Sequence, residues 1–388
     1  MTTAAALASG VWSDLIGQER VISTLRRAVT GERHAMTHAW LFTGPPGSGR
    51  SNAARAFAAA LQCEDGGCGH CRACRTALSG AHPDVTLVRT EQLSIGVDEI
   101  RDLVRRAAMT PTLGRFQVLV VEDADRVTER GADALLKSIE EPAARTVWLL
   151  CAPTADDVVA TIRSRCRRIE LSTPSEPAIA ELLQRRDGVE PDLAAFAAHV
   201  SQGHIGRARA LARSESARGR RREILGLPEK LTSLGACLSA AASVVQSAAD
   251  EASSITTDLD AREKAELSEA LGMGTKGAKP RNANAALREL EDQQKARAKR
   301  LQRDALDRVL TEFTSYYRDV LVLQTAAGAG LINTEFADPI RRLAGRSPAS
   351  ATVRRLDAIL ECRTALETNV APLLAMESLM IGLGEGLE

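Results

Sequence analysis

The 388-residue sequence is poor in aromatics and in lysine, has no excess of either charge, and contains no long apolar run. Its 3 Trp, 2 Tyr and 6 Phe are thin material for stacking the bases of a single strand. Lys+Arg and Asp+Glu are both 50, which excludes a surface that is everywhere a nucleic-acid footprint and leaves room only for a local basic face. Most of the basic side chains are arginine, a bias that a GC-rich genome explains more simply than selection for phosphate binding. No apolar run reaches the roughly 18 residues of a membrane span. Met1–Gly10 (MTTAAALASG) lacks the charged start and long apolar stretch of a signal peptide. The expectation is a cytoplasmic chain without a membrane partner.

What the sequence does have is concentrated. Four of its 8 cysteines, Cys63, Cys68, Cys71 and Cys74, stand in the pattern C-x4-C-x2-C-x2-C, whereas a disulfide scaffold would spread them and be much shorter. Four thiolates suffice for a closed tetrahedral zinc site with no position open to substrate, so the expected role is structural. An iron–sulfur cluster is the competing use of the same ligands.

The texture divides the chain. Up to about Leu171, short apolar runs alternate with helical patterns: Ala39–Thr43, Val85–Arg89, Gln117–Val121, Thr146–Cys151 and Arg167–Leu171 read as strands buried on both faces. Val97–Ala108 and Ala132–Glu141 read as helices, the second stopped by Pro142. This alternation predicts an α/β domain with a mostly parallel sheet over residues 1–172, carrying the cysteine insert 63–74. Thr173–Pro177 is a break, followed by a small helical segment over 173–214. From 215 to 388 the pattern is helical throughout, with Leu306, Val309, Leu310, Phe313, Tyr317 and Val320 on one face. A charged insertion occupies about 250–304: Gly272–Asn284 reads as a loop, and Ala285–Asp304 as a solvated helix in preference to a DNA-contacting one.

Ala39–Ser51 is a strand followed by Gly44-Pro45-Pro46-Gly47-Ser48-Gly49-Arg50-Ser51 and then an Ala-rich helix. That spacing is a phosphate-binding loop whose glycines aim backbone N–H groups at phosphate oxygens at a helix N-terminus. Arg50 stands where the motif has Lys, and a forked guanidinium does not substitute for a compact ammonium at the β/γ-phosphates. After the third strand come Glu122-Asp123, where a working site has Asp for Mg²⁺ and then Glu to position water. Two altered parts predict a pocket that binds ATP or ADP doubtfully and hydrolyses poorly, since positioning dominates phosphoryl transfer.

His38–Arg50 (HAWLFTGPPGSGR), the four-cysteine insert, Ala134–Pro142 (ALLKSIEEP) and Thr161–Cys166 (TIRSRC) occur in that order. Together they resemble a bacterial clamp-loader subunit of the AAA+ class, part of the DNA polymerase III holoenzyme. The match covers about Val11–Leu211, and Asn369–Leu383 is similar to the closing helix of that family's collar. The resemblance implies an AAA+ P-loop module, a small helical lid and a helical collar over 215–388. It also implies gamma/tau and delta neighbours, a sliding clamp and primed DNA in the assembled complex, and a place at the replisome on the nucleoid. The departures at Arg50, Glu122 and Asp123 lean toward the family's stationary partner. The alternative is an active gamma/tau-like motor that hydrolyses ATP itself. In the family the motif matching Ser164-Arg165-Cys166 acts in trans, which makes Arg165 an arginine finger toward a neighbour's nucleotide. Glu140 and Glu141 read as a solvated helix face.

Overall fold

The computed structural model describes residues 9–32, 34–90, 94–270, 283–368 and 370–384. The chain separates into two compact units, Met1–Ser214 and Glu215–Glu388.

In the first unit the elements run α1 (Glu19–Val29), β1 (Ala39–Thr43), α2 (Arg50–Gln62), α3 (Arg72–Ser79), β2 (Val85–Val88), α4 (Val97–Ala107), β3 (Gln117–Val121), α5 (Glu129–Glu140), β4 (Thr146–Ala152), α6 (Ala160–Arg163) and β5 (Arg167–Glu170). α7 (Glu176–Asp187), α8 (Pro191–Ser201) and α9 (Ile205–Arg213) complete it. The five strands form one sheet in the order β2-β3-β4-β1-β5, every neighbouring pair parallel. Each strand read from the sequence is present.

Alternation along the strands supplies two cores. Trp40, Phe42, Val118, Val120, Val147 and Leu149 pack with α1 and α2 on one face. Leu41, Leu119, Val121, Trp148 and Leu150 pack with α4 and α5 on the other. α2 is nearly all alanine where it meets the sheet, which lets its backbone approach closely; Ala53, Ala54, Ala58, Ala59 and Ala60 are fully or almost fully buried. α4 carries Asp98 and Glu99 in its first turn and Arg105 and Arg106 in its last, matching the helix dipole.

Among the described residues the second unit is all helical: α10 (Glu215–Leu225), α11 (Leu234–Ala270), α12 (Ala283–Thr325), α13 (Ala337–Arg346), α14 (Ala349–Glu367) and α15 (Pro372–Leu383). Leu306, Val309, Leu310, Phe313, Tyr317 and Val320 are buried as their spacing predicts. Residues 272–282 of the expected Gly272–Asn284 loop lie outside the described residues, and Ala283 and Asn284 already belong to α12. The solvated reading of Ala285–Asp304 fails at Arg297. Its guanidinium is 9% exposed and pairs with Asp260 and Glu263 of α11 at 2.5 Å, because α12 faces α11 along this stretch.

One buried carboxylate fixes the loop before β3. Asp84 accepts N–H bonds from Thr112 (2.6 Å), Leu113 (2.8 Å) and Gly114 (2.6 Å). Burial works to raise its carboxyl, but the three N–H donors outweigh that and hold it below the usual carboxylate range. Asp84→Ala strands three donors and is expected to cost about 3 kcal/mol, read as a fall of roughly 10 °C in the first unit's thermal midpoint. A carboxyl whose folded pKa is depressed stabilises fully above its unfolded value and loses that contribution as pH falls through the folded one. The gap between wild type and Asp84→Asn should therefore be constant at neutral pH and narrow below about pH 4.

Candidate functional site

A parallel sheet collects loops at the carboxyl ends of its strands. Three such loops meet here: the glycine-rich loop after β1, Glu122-Asp123 after β3, and Ala152-Pro153 at the end of β4. The Gly44 N–H donates to the Pro153 carbonyl at 3.0 Å, which ties the first loop to the end of β4.

Gly44, Pro45, Pro46, Gly47, Ser48, Gly49, Arg50 and Ser51 form the expected strand-to-helix loop. Gly49 caps α2 in a left-handed conformation, φ 95°, with no side chain to satisfy the first N–H groups of the helix. Gly47 also has positive φ (80°), and a Cβ there would collide with the ring of His204. His204 precedes α9, and the Ile205 N–H donates to the Gly47 carbonyl at 3.3 Å. Its Nδ1 accepts the Arg207 N–H at 3.1 Å. Burial, with the Arg207 charge second, pushes the imidazole below its ordinary pKa, so it is neutral at pH 7. The Ser48 Oγ is buried and has no hydrogen-bond partner among the described residues.

Arg50 turns back on its own loop, and its Nη1 donates to the Gly44 carbonyl. Burial lowers its pKa, opposed by Cys151, Asp125, Asp123 and Asp157. Glu122, with its side chain 8% exposed, accepts from the Arg55 Nε of α2 at 2.6 Å. The carboxylate expected at the metal thus serves a guanidinium. Sequence reading missed both Arg55 and His204. Arg55 lies one helical turn past the motif and His204 stands alone before a short helix, so neither has a local signature.

Ser164-Arg165-Cys166 lies elsewhere. It precedes β5, and the register pairs Arg167 with Trp40 and Glu170 with Thr43. Because the strands are parallel, Arg165 sits at the amino edge of the sheet while the phosphate loop sits at the carboxyl edge. The step from Arg167's level to Gly44 is four residues along β1, about 13 Å at ~3.3 Å per residue, and Arg165 enters the amino end of β5 from the turn before it. The Arg165 Nη1 donates to the Thr161 carbonyl (2.8 Å) and Ser164 Oγ (3.2 Å), and Nη2 pairs with Glu140 at 2.6 Å. The Ser164 Oγ donates to the same Thr161 carbonyl at 3.0 Å. Burial pushes the Cys166 thiol up to about 12, which makes it an inert packing group. Glu140 is exposed, in keeping with the solvated helix face read from the sequence, and is in addition ion-paired with Arg165.

The four cysteine sulfurs all lie within 4.8 Å of one another. Cys63 Sγ is 3.7 Å from Cys68 Sγ and 3.8 Å from Cys71 Sγ, close to the ~3.8 Å edge of a tetrahedron built on Zn–S bonds of about 2.3 Å. The N–H groups of Cys68, Cys71 and Cys74 donate to Cys63, Cys68 and Cys71 sulfurs, each at 3.4 Å. Burial tends to raise the Cys63 thiol, but N–H groups of Cys68 and Gly67 bring it down to about 7. N–H donors thus favour the thiolate at Cys63, whereas burial pushes the Cys74 thiol up, and at Cys71 the Cys74 N–H is outweighed by burial with the neighbouring sulfurs. A cation would be needed to hold all four as thiolates. The cluster fits a tetrahedral ion and leaves no coordination position for substrate. Gly10 is packed so tightly on the Gly67 carbonyl that a Cβ would clash, and the Val11 N–H donates to that carbonyl at 3.0 Å. The cysteine loop thereby clasps the start of the described chain.

A parallel sheet of this order, with a phosphate loop after β1 and an acidic pair after β3, is a P-loop module of the AAA+ type, followed here by a helical domain. Residues 17–175 match the family described as DNA polymerase III, delta subunit. DNA polymerase III subunit delta' of Pseudomonas aeruginosa is 38% identical over 167 residues, 42% of this chain and 51% of that protein. Subunit delta' of Bacillus subtilis is 31% identical over 217 residues, 55% of this chain and 65% of that one. Subunit tau of the same organism is 32% identical over 190 residues, 46% of this chain and 33% of that one. The chain spans between a third and two thirds of the length of these relatives. Over the matched segment the chain is similar both to delta' and to tau subunits of DNA polymerase III.

The cysteine cluster yields a direct check. Cys68→Ser with Cys71→Ser should abolish zinc retained after purification in reducing buffer. It should also lower the first unit's thermal midpoint by roughly 5 °C or more, since metal binding energy is folding energy. Elemental analysis that finds no metal in the unmutated chain would contradict the assignment.

Proposed function

We propose that this chain is the delta-prime subunit of a bacterial clamp loader. It assembles with gamma/tau and delta subunits in the cytoplasm, at the replisome on the nucleoid, to place a sliding clamp on primed DNA. It does not turn over ATP efficiently itself; it lends Arg165 to the nucleotide held by a neighbouring subunit. Zinc on Cys63, Cys68, Cys71 and Cys74 is structural and stiffens the insert between α2 and β2.

The observation that carries this reading is the placement of Arg165 at the opposite edge of the sheet from its own phosphate loop. Its guanidinium cannot reach a phosphate bound at Gly44–Ser51 of the same chain, so any phosphate it serves belongs to another protomer. The state of that loop agrees. Mg²⁺–ATP would need the Gly44 carbonyl region cleared of Arg50, and Glu122 released from Arg55, before a metal and γ-phosphate could sit in line. These residues do not fit a hydrolytic site, and no chemical step is assigned to it. What the chain contributes to chemistry is a positioned cation: an arginine finger stabilises charge developing on the transferred phosphoryl group, an effect that reaches several orders of magnitude in other systems.

The collar reading of residues 215–388 belongs to the same proposal. Leu360, Leu373, Leu374 and Ile381 of α14 and α15 are exposed, as faces that meet like faces of neighbouring subunits would be. In a complex reconstituted with gamma/tau and delta, Arg165→Ala should lower DNA-stimulated ATP turnover at least several-fold while leaving assembly on a sizing column intact. Unchanged turnover in an intact complex would remove the finger role.

A further inference from the structure

The basic run Arg163–Arg168 does not behave uniformly. Arg163 is drawn inward, pairing with Asp156 and donating to the Ala155 carbonyl. Arg167 donates to the Ala35 carbonyl at 2.6 Å and lies over the Trp40 ring at 5.1 Å. Arg165 alone of these three is held by a carboxylate from a different helix while its side chain stays 39% exposed.

That carboxylate is in an awkward place for α5. Glu140 is the last residue of the helix, where the helix dipole disfavours negative charge. A half-exposed pair of this kind contributes little to folding stability, so stability does not explain it. Geometry offers a better reason. A guanidinium has five N–H donors in a planar fork. Here Nη1 donates to the Thr161 carbonyl and Ser164 Oγ, and Nη2 is ion-paired with Glu140 at 2.6 Å. The fork is held at Nη1 by hydrogen bonds and at Nη2 by the Glu140 charge, and among the described residues the Nε–H has no hydrogen bond. An untethered arginine on a surface would have to lose its rotamer freedom at the moment of use.

We propose that Glu140 is a positioning residue for Arg165: it holds the guanidinium in the orientation that meets the γ-phosphate bound by the neighbouring subunit. The inference rests on the trans role given to Arg165 above. It assigns Glu140 no contact with the nucleotide, and it distinguishes Glu140 from Glu141, for which no ion pair is found among the described residues.

The test uses the reconstituted complex of this chain with gamma/tau and delta, in the presence of clamp and primed DNA. The Arg165-dependent turnover is defined as the difference between wild type and Arg165→Ala. Glu140→Ala should remove at least about half of that difference while the ATP concentration for half-maximal rate stays within about twofold, the signature of an effect confined to the transition state. Glu140→Gln, which keeps an acceptor for Nη2, should restore most of it, and Glu141→Gln should leave it unchanged. Thermal midpoints of the isolated chains should be alike, which a merely structural role for Glu140 would not give. If Arg165→Ala lowers turnover but Glu140→Ala does not, or if Glu140→Ala raises turnover without DNA, Glu140 is not a positioning residue and the finger reading survives. If Arg165→Ala itself changes nothing, both readings fall.

Discussion

A carboxylate following the third strand of a P-loop sheet can hold a metal ion or a guanidinium, and in this chain Glu122 holds the guanidinium of Arg55. The pair is 2.6 Å long, with Glu122 nearly dry. In such a setting an acid is exchanged between partners only at the cost of leaving one charge unpaired. This one contact organises the pocket. It fastens α2 to the end of β3, and it leaves the end of α2 nearest the phosphate loop to Arg50, which lies back along the loop instead of reaching forward from it. His204 then closes against Gly47 from the start of α9. Each piece is an ordinary structural interaction; together they make the phosphate loop an anchor for the unit.

The parallel sheet supplies the second constraint. Loops after the strands and loops before them are separated by the length of a strand, so a residue is committed to one edge by its position in the chain. Gly44–Ser51 and Glu122 follow β1 and β3; Glu140 precedes β4 and Arg165 precedes β5. The topology itself therefore segregates the nucleotide loop from Arg165, and it brings Glu140 and Arg165 together although they are far apart in sequence. The proposed division of labour between this chain and a neighbour needs no further device than that segregation.

Much of this was legible in the residues, and the limit has a physical form. Short apolar runs mark all five strands, but burial on both faces holds only for β1, β3 and β4; β2 is half-buried in its middle and β5 is exposed except at Ile169, because these two are the edges of the sheet. The phosphate loop and the cysteine cluster are local patterns whose chemistry depends on spacing alone. The partners that decide how the pocket behaves are not local. Arg55 meets Glu122 across 67 residues of sequence, and His204 meets Gly47 across more than twice that. Nothing in helical periodicity separates Glu140 from Glu141, and only the return of the chain before β5 gives the first of them a partner. Arg297 shows the same limit in the second unit: a charged helix reads as solvated until the helix opposite it is in place.

The most direct measurement is equilibrium binding of Mg²⁺–ATP to the isolated chain by calorimetry, paired with turnover under the same conditions. The account predicts no saturable binding up to about 1 mM, a free energy weaker than about −4 kcal/mol, and no hydrolysis above background. Micromolar binding accompanied by turnover, both lost on Ser51→Ala, would contradict it and make this chain a motor in its own right.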